Sequence, residues 1–154
     1  METSSQADFQ DQVGLSAQAV QSRHGEVWDQ RAKDLVDEAL GLEPLEAIPL
    51  LRKALRYGRT GVQASRAYFV LGMKYEDMGD DKRAVQAYTK SIRAWQPETP
   101  SPIALFWRGQ IHYRNRRLSR ARSDLESALK NGLTSPEREQ AERYLEEIGK
   151  RGVQ

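Results

Sequence analysis

The chain has 154 residues, 38% hydrophobic and 30% charged, with a formal net charge of +2. That length suits one compact domain or a few stacked repeats, and the near-balanced charge lacks the basic excess expected of a nucleic-acid binder. There is no cysteine, which excludes disulfides, thiol nucleophiles and thiolate metal sites.

The opening dozen residues, METSSQADFQDQ, are polar and carry no strong period, as expected of a loose arm. Phe9, Val13, Ala17 and Val20 could form a weak amphipathic helix, although Gly14 and Gly25 oppose it. A firm helical stripe begins at Val27 and runs through Ala32, Leu35, Val36, Ala39 and Leu40 to a stop at Gly41. Leu45 to Tyr57 carries a second stripe of Leu45, Ile48, Leu51, Ala54 and Leu55. Pro44 fits its first turn, whereas Pro49 predicts either a late start or a kink. After the break GRTG, Ala64 to Met78 forms a third helix, and Lys82 to Trp95 a fourth beyond MGDD. The strand-like Tyr68-Phe69-Val70-Leu71 sits inside a longer helical period, which should win. The proline-rich QPETPSP is a connection, followed by helices over Ile103–Tyr113 and Leu118–Lys130. Asn131-Gly132 ends the sixth helix. A seventh opens with Pro136 in its first turn and carries Ala141, Tyr144, Leu145 and Ile148.

A repeat of 37 residues ties these helices together. Ala47, Ala84 and Ala121 share it, as do Leu51, Tyr88 and Leu125, and Ala54, Ser91 and Ala128. Leu55, Ile92 and Leu129 keep the same step, and so do Gly72 and Gly109. Small residues let two helices approach, and the large residue four places on fills the space beside the crossing. A lone helical hairpin cannot bury its stripe, so successive hairpins must stack.

These residues resemble the tetratricopeptide repeat family, whose first helix carries W-x2-L-G-x2-Y and whose second carries an alanine-rich pattern. The middle repeat matches through Tyr68, Leu71, Gly72, Tyr75, Ala84, Tyr88 and Ser91, with Gly79 at the turn and Pro97 near the family's terminal proline. The third matches through Leu105, Gly109, His112, Ala121, Leu125 and Ala128, but Arg108 stands where the family has leucine. The first matches in its second helix through Ala47, Leu51 and Ala54, and in its first helix only after a one-residue shift. The resemblance implies an all-α fold, an α-solenoid of three helical hairpins plus a C-terminal capping helix. The repeats would span residues 28–61, 65–99 and 102–134, with the cap at 136–150, all within a domain of 27–150 behind an arm of 1–26.

In that family the first helices line a groove. The corresponding positions here are Gln30, Lys33, Asp34 and Asp37, then Arg66, Phe69, Val70, Met73 and Asp77, then Ile103, Phe106, Trp107, Gln110, Tyr113 and Arg114. The aromatic and methionine members suit a protein or peptide partner such as an amphipathic helix. Phe69, Met73, Phe106 and Trp107 would be its anchors, because none is required for packing within a repeat. The alternative is that the chain covers this groove itself, with its arm through Phe9 and Val13, with its last helix, or with a second copy in a homo-oligomer.

Arg108, Arg114, Arg116, Arg117, Arg120 and Arg122 form a basic stretch without an intervening acid. It reads chiefly as a solvated edge, with an RNA accessory role as the weaker alternative, and nucleic acid is not the expected partner. His24 and His112 are far apart, and no zinc-protease, phosphate-loop or serine-hydrolase motif occurs. The expectation is a non-catalytic binding module needing no cofactor and no metal. No run approaches the ~18 apolar residues of a membrane span, and no secretory signal is evident, so a cytoplasmic location is expected.

Overall fold

The computed structural model describes residues 25–58, 60–95 and 100–152. The readings placed on Phe9 to Val20, His24 and Pro97 lie outside these residues. Seven helices follow one another: α1 through residues 25–40, α2 Pro44–Tyr57, α3 Gly61–Asp77, α4 Asp81–Trp95, α5 Pro102–Arg114, α6 Leu118–Lys130 and α7 Glu137–Arg151. Among the described residues there is no strand. Each odd helix pairs antiparallel with the even helix after it, and α7 trails as the cap.

Local chemistry sets the boundaries. Ser101 caps α5, its side-chain oxygen accepting from the Ala104 amide at 3.4 Å, with Pro102 next in line. The Asp80 carboxylate accepts from the Arg83 amide at 2.9 Å and so starts α4. Gly79 ends the α3 turn at φ 74°, with the Asp80 amide reaching back to the Tyr75 carbonyl at 2.8 Å. Arg116 takes the equivalent place one repeat later at φ 59°, and there Arg117 reaches His112 at 2.8 Å. The second turn keeps the left-handed geometry without the glycine. Two boundary expectations need correction. The start of α2 is not delayed, because Pro49 lies inside the helix on its exposed side. Pro136 stands at the N-cap of α7 rather than in its first turn.

The repeat positions become one continuous core. Ala47, Ala84 and Ala121 are each 0% exposed, and so are Leu51, Tyr88 and Leu125. Ala54, Ser91 and Ala128 are at most 1% exposed. Gly72 allows the tightest crossing: a Cβ there would lie 2.4 Å from the Tyr88 ring. At Gly109 the equivalent approach is looser, 3.1 Å to Asp124 and 3.2 Å to Leu125. Ser91 and Ser65 satisfy each other across the α3–α4 contact, each hydroxyl donating to the other's carbonyl at 2.8 Å. Leu40, expected on the buried stripe, is 45% exposed, since it sits where α1 ends and turns away from the core.

Two polar substitutions within the core have clear causes. Lys74 is buried, and its ammonium donates to the carbonyls of Leu40 at 3.1 Å and Leu42 at 2.7 Å. It therefore satisfies the carbonyls left open where α1 ends. Arg108, the departure from the repeat pattern, reaches both oxygens of Asp124 at 2.8 and 2.6 Å and the Thr89 hydroxyl at 3.0 Å. Arg108 and Asp124 stand one repeat after Leu71 and Ala87, both buried. An apolar pair has been exchanged for a bidentate ion pair at the same two places.

The candidate partner-binding face

Side-chain links set α1, α3, α5 and α7 next to one another. Asp37 of α1 receives Arg66 of α3 at 2.8 Å and Lys33 at 2.8 Å. These two cations hold the Asp37 carboxyl below its ordinary range, Lys33 first. Arg114 of α5 reaches back to Glu76 of α3 at 2.7 Å and also pairs with Asp81. The Glu76 carboxylate in turn accepts from the Tyr88 hydroxyl at 2.7 Å. Gln110 of α5 donates to the Tyr144 hydroxyl of α7 at 3.0 Å, and the Tyr113 hydroxyl donates to Glu147. The Tyr113 and Tyr144 rings lie 4.5 Å apart at their centroids.

These links sort the predicted groove residues by availability. Val70 is 3% exposed and Phe106 1%, so both belong to the core. Phe106 is therefore not open as an anchor, and Val70 lies in the apolar cluster with Val36, Ala39 and Leu51 of the preceding hairpin. Phe106 lies in the same apolar cluster as Leu125, Leu133, Ala141 and Ile148, which is built partly by the cap. Tyr113 and Gln110 are engaged by α7, so the chain's own last helix occupies that end of the face. Arg66 and Arg114 are engaged by carboxylates.

Phe69, Met73, Ile103 and Trp107 remain half-buried. Phe69 and Met73 are one helical turn apart on α3 and share a side. Phe69 and Trp107 pack against the same buried group around Tyr88 and Ile111. Phe69 tilts against Tyr88 at 5.6 Å, and Trp107 stands edge-on to Phe106 at 5.9 Å. Each half-buried ring is thus seated on a buried support, with part of its surface open. Gln30, Lys33, Asp34 and Asp37 are exposed and make α1 the charged end of the face, and Asp77 is exposed at the end of α3. Tyr144 and Glu147 were missed as contributors to this face. Tyr144 was legible only as a member of the cap's apolar stripe.

The basic stretch does not form one patch. Arg108 turns inward to Asp124, and Arg114 crosses to Glu76 and Asp81. Arg116, Arg117, Arg120 and Arg122 stay exposed on the turn and on α6. His112 is 5% exposed with its Nδ1 unpartnered, and burial pushes its pKa below the ordinary histidine value. Among the described residues no group of histidine, aspartate and glutamate is placed to hold a metal ion. No described helix is long and apolar enough to cross a membrane.

Residues 34–99 and 69–136 match the tetratricopeptide repeat family, and together these matches span more than half of the chain. The chain belongs to that family. No curated protein matches the sequence. Eleven solved chains match the fold. One is the Yersinia enterocolitica type III secretion chaperone SycD, in complex with a peptide of the translocator YopD. It is 18% identical with a TM-score of 0.63, covering 82% of this chain and 93% of that one. At this identity the likeness is one of fold.

Proposed function

We propose that this chain is a non-catalytic adaptor that holds a partner protein through a short peptide, seated across α3 and α5. The observation that carries the reading is the pair Phe69 and Trp107. Both are half-buried on one apolar cluster, with Met73 one turn from Phe69. Rigidly backed aromatic residues beside a methionine are the usual anchors of a peptide groove. The chaperone of similar fold was solved with a translocator peptide, which supports the same use here. The repeat domain of residues 27–150 is the binding unit, with the cap closing the α5 end. A cytoplasmic site of action fits a cysteine-free chain.

Peptides selected from a random display library against the purified chain test this. Their affinity for the wild type is compared with Trp107→Ala and Phe69→Ala by fluorescence anisotropy. Loss of a central anchor should weaken binding by ~30-fold, about 2 kcal/mol. Unchanged affinity in both variants would refute the reading. A concentration-independent dimer that shields Trp107 would instead assign the face to a second copy.

A further inference from the structure

The opposite side of the molecule, built from α2, α4 and α6, has crevices between successive hairpins, and two of them are equivalent by the repeat. The crevice between α2 and α4 encloses about 480 Å³. Arg52, Arg56, Arg83 and Lys90 stand around it, and no carboxylate is among its lining residues. Its walls are Tyr68 and Tyr75, with Lys90 and Arg83 each 5.8 Å from a ring centroid. Its floor is Leu71 and Ala87, both buried. Asp80, outside the crevice, comes to 3.6 Å from Arg83.

The crevice between α4 and α6 shows what a self-neutralised version looks like. There Arg108 and Asp124 replace Leu71 and Ala87, His112 replaces Tyr75, and Arg120 replaces Arg83. The cation at its base is already held by a carboxylate. Of these two crevices, only the α2–α4 one joins rim cations without a lining acid to aromatic walls and an apolar floor. Like charges gathered at one mouth repel each other and raise the local potential for an anion. Arginine forks match phosphate oxygens, and tyrosine faces stack on flat rings. The volume falls in the range of small-molecule sites, ~300–1,000 Å³.

We propose that the α2–α4 crevice binds a phosphate-bearing ligand with a flat ring, of the chemical class of a mononucleotide. The phosphate sits among Arg52, Arg56 and Arg83. The ring lies against Tyr68 and Tyr75 above Leu71. This site shares α3 with the peptide face but uses other residues of it, Tyr68, Leu71 and Tyr75 rather than Phe69 and Met73.

Calorimetric titration with AMP tests it, with inorganic phosphate and an acidic peptide as competitors. AMP should bind the wild type, more weakly as salt is added. The double variant R56Q/R83Q, altered only at exposed positions, should lose ~10-fold or more in affinity. R122Q/K130Q removes the same charge from α6 and should bind like the wild type. Circular dichroism checks that both variants keep their helix content. Equal losses in the two variants would overturn the site, as would no binding of AMP. Inorganic phosphate binding as tightly as AMP would overturn the role of the tyrosine walls. An acidic peptide displacing AMP at lower concentration would assign the crevice to a protein.

Discussion

Replacing Gly72 with alanine adds one methyl group where the α3–α4 crossing is closest. That carbon would lie 2.4, 2.6 and 2.7 Å from three atoms of the Tyr88 ring, about an ångström inside ordinary contact. The ring has little room to yield. Tyr88 is 0% exposed, and its hydroxyl is held by Glu76 at 2.7 Å. Overpacking of this kind costs ~3 kcal/mol at the upper end of the usual range. Alanine recovers ~1 kcal/mol of helix propensity relative to glycine. The net expectation is a destabilisation of about 2 kcal/mol, or roughly 4–8 °C in Tm. Gly109→Ala provides the control. Its carbon meets Asp124 at 3.1 Å and Leu125 at 3.2 Å, a crowding of a few tenths of an ångström, so propensity and crowding nearly cancel. Urea unfolding followed by circular dichroism measures both variants. Tyr88→Leu, which imitates the third repeat, should couple favourably with Gly72→Ala by ~1 kcal/mol. A Gly72→Ala protein at least as stable as the wild type would show that Tyr88 does not rest on Gly72, and the packing argument would fall.

Other expectations follow from the same contacts. Arg108→Leu restores the family residue yet should destabilise by ~3 kcal/mol, because it strands the buried Asp124 carboxylate; adding Asp124→Ala should return most of the loss in urea titrations. Arg116→Gly should raise stability by ~0.5–1 kcal/mol, since the residue sits at φ 59° in a turn that uses glycine one repeat earlier; a lower Tm would contradict this. Lys74→Met should cost ~1–3 kcal/mol and speed amide exchange at the end of α1, where two carbonyls lose their donor. His112 should make the fold acid-sensitive. Burial, the leading cause, lowers its folded pKa below the unfolded value of 6.5, with Arg108, Arg117 and Arg120 adding to the shift and Asp124 opposing it. The unfolded chain therefore binds the proton more readily, and stability should fall as pH drops through and below 6.5. Urea midpoints at pH ~7.5 and ~5.5 should differ less in His112→Gln than in the wild type.

Much of the fold could be read before any coordinates. The spacing shared by Ala47, Ala84 and Ala121, and by Leu51, Tyr88 and Leu125, marks positions that all prove fully buried. Gly72 and Gly109 announced the close crossings. These features are legible because helical periodicity and side-chain size act locally and recur with each hairpin. Arg108 was visible only as an anomaly. Its meaning required Asp124, which lies sixteen residues away and had no pattern of its own.

The proposed partner face was less legible, for a related reason. Phe69 and Phe106 occupy equivalent repeat positions, yet one is half-buried and the other 1% exposed. Val70 and Trp107 are likewise equivalent, with their exposure reversed. The α7 cap contributes to the cluster around Phe106 and supplies Tyr144 and Glu147 to the α5 edge, whereas α3 has α5 as its neighbour. Sequence alone determined the helices, their pairing and the residues at each crossing, because those depend on contacts within one repeat. Tertiary structure decided which groove residues stay open and which crevice gathers cations without a lining acid. Both depend on what the neighbouring repeat places alongside, and a repeat's own pattern does not encode its neighbour.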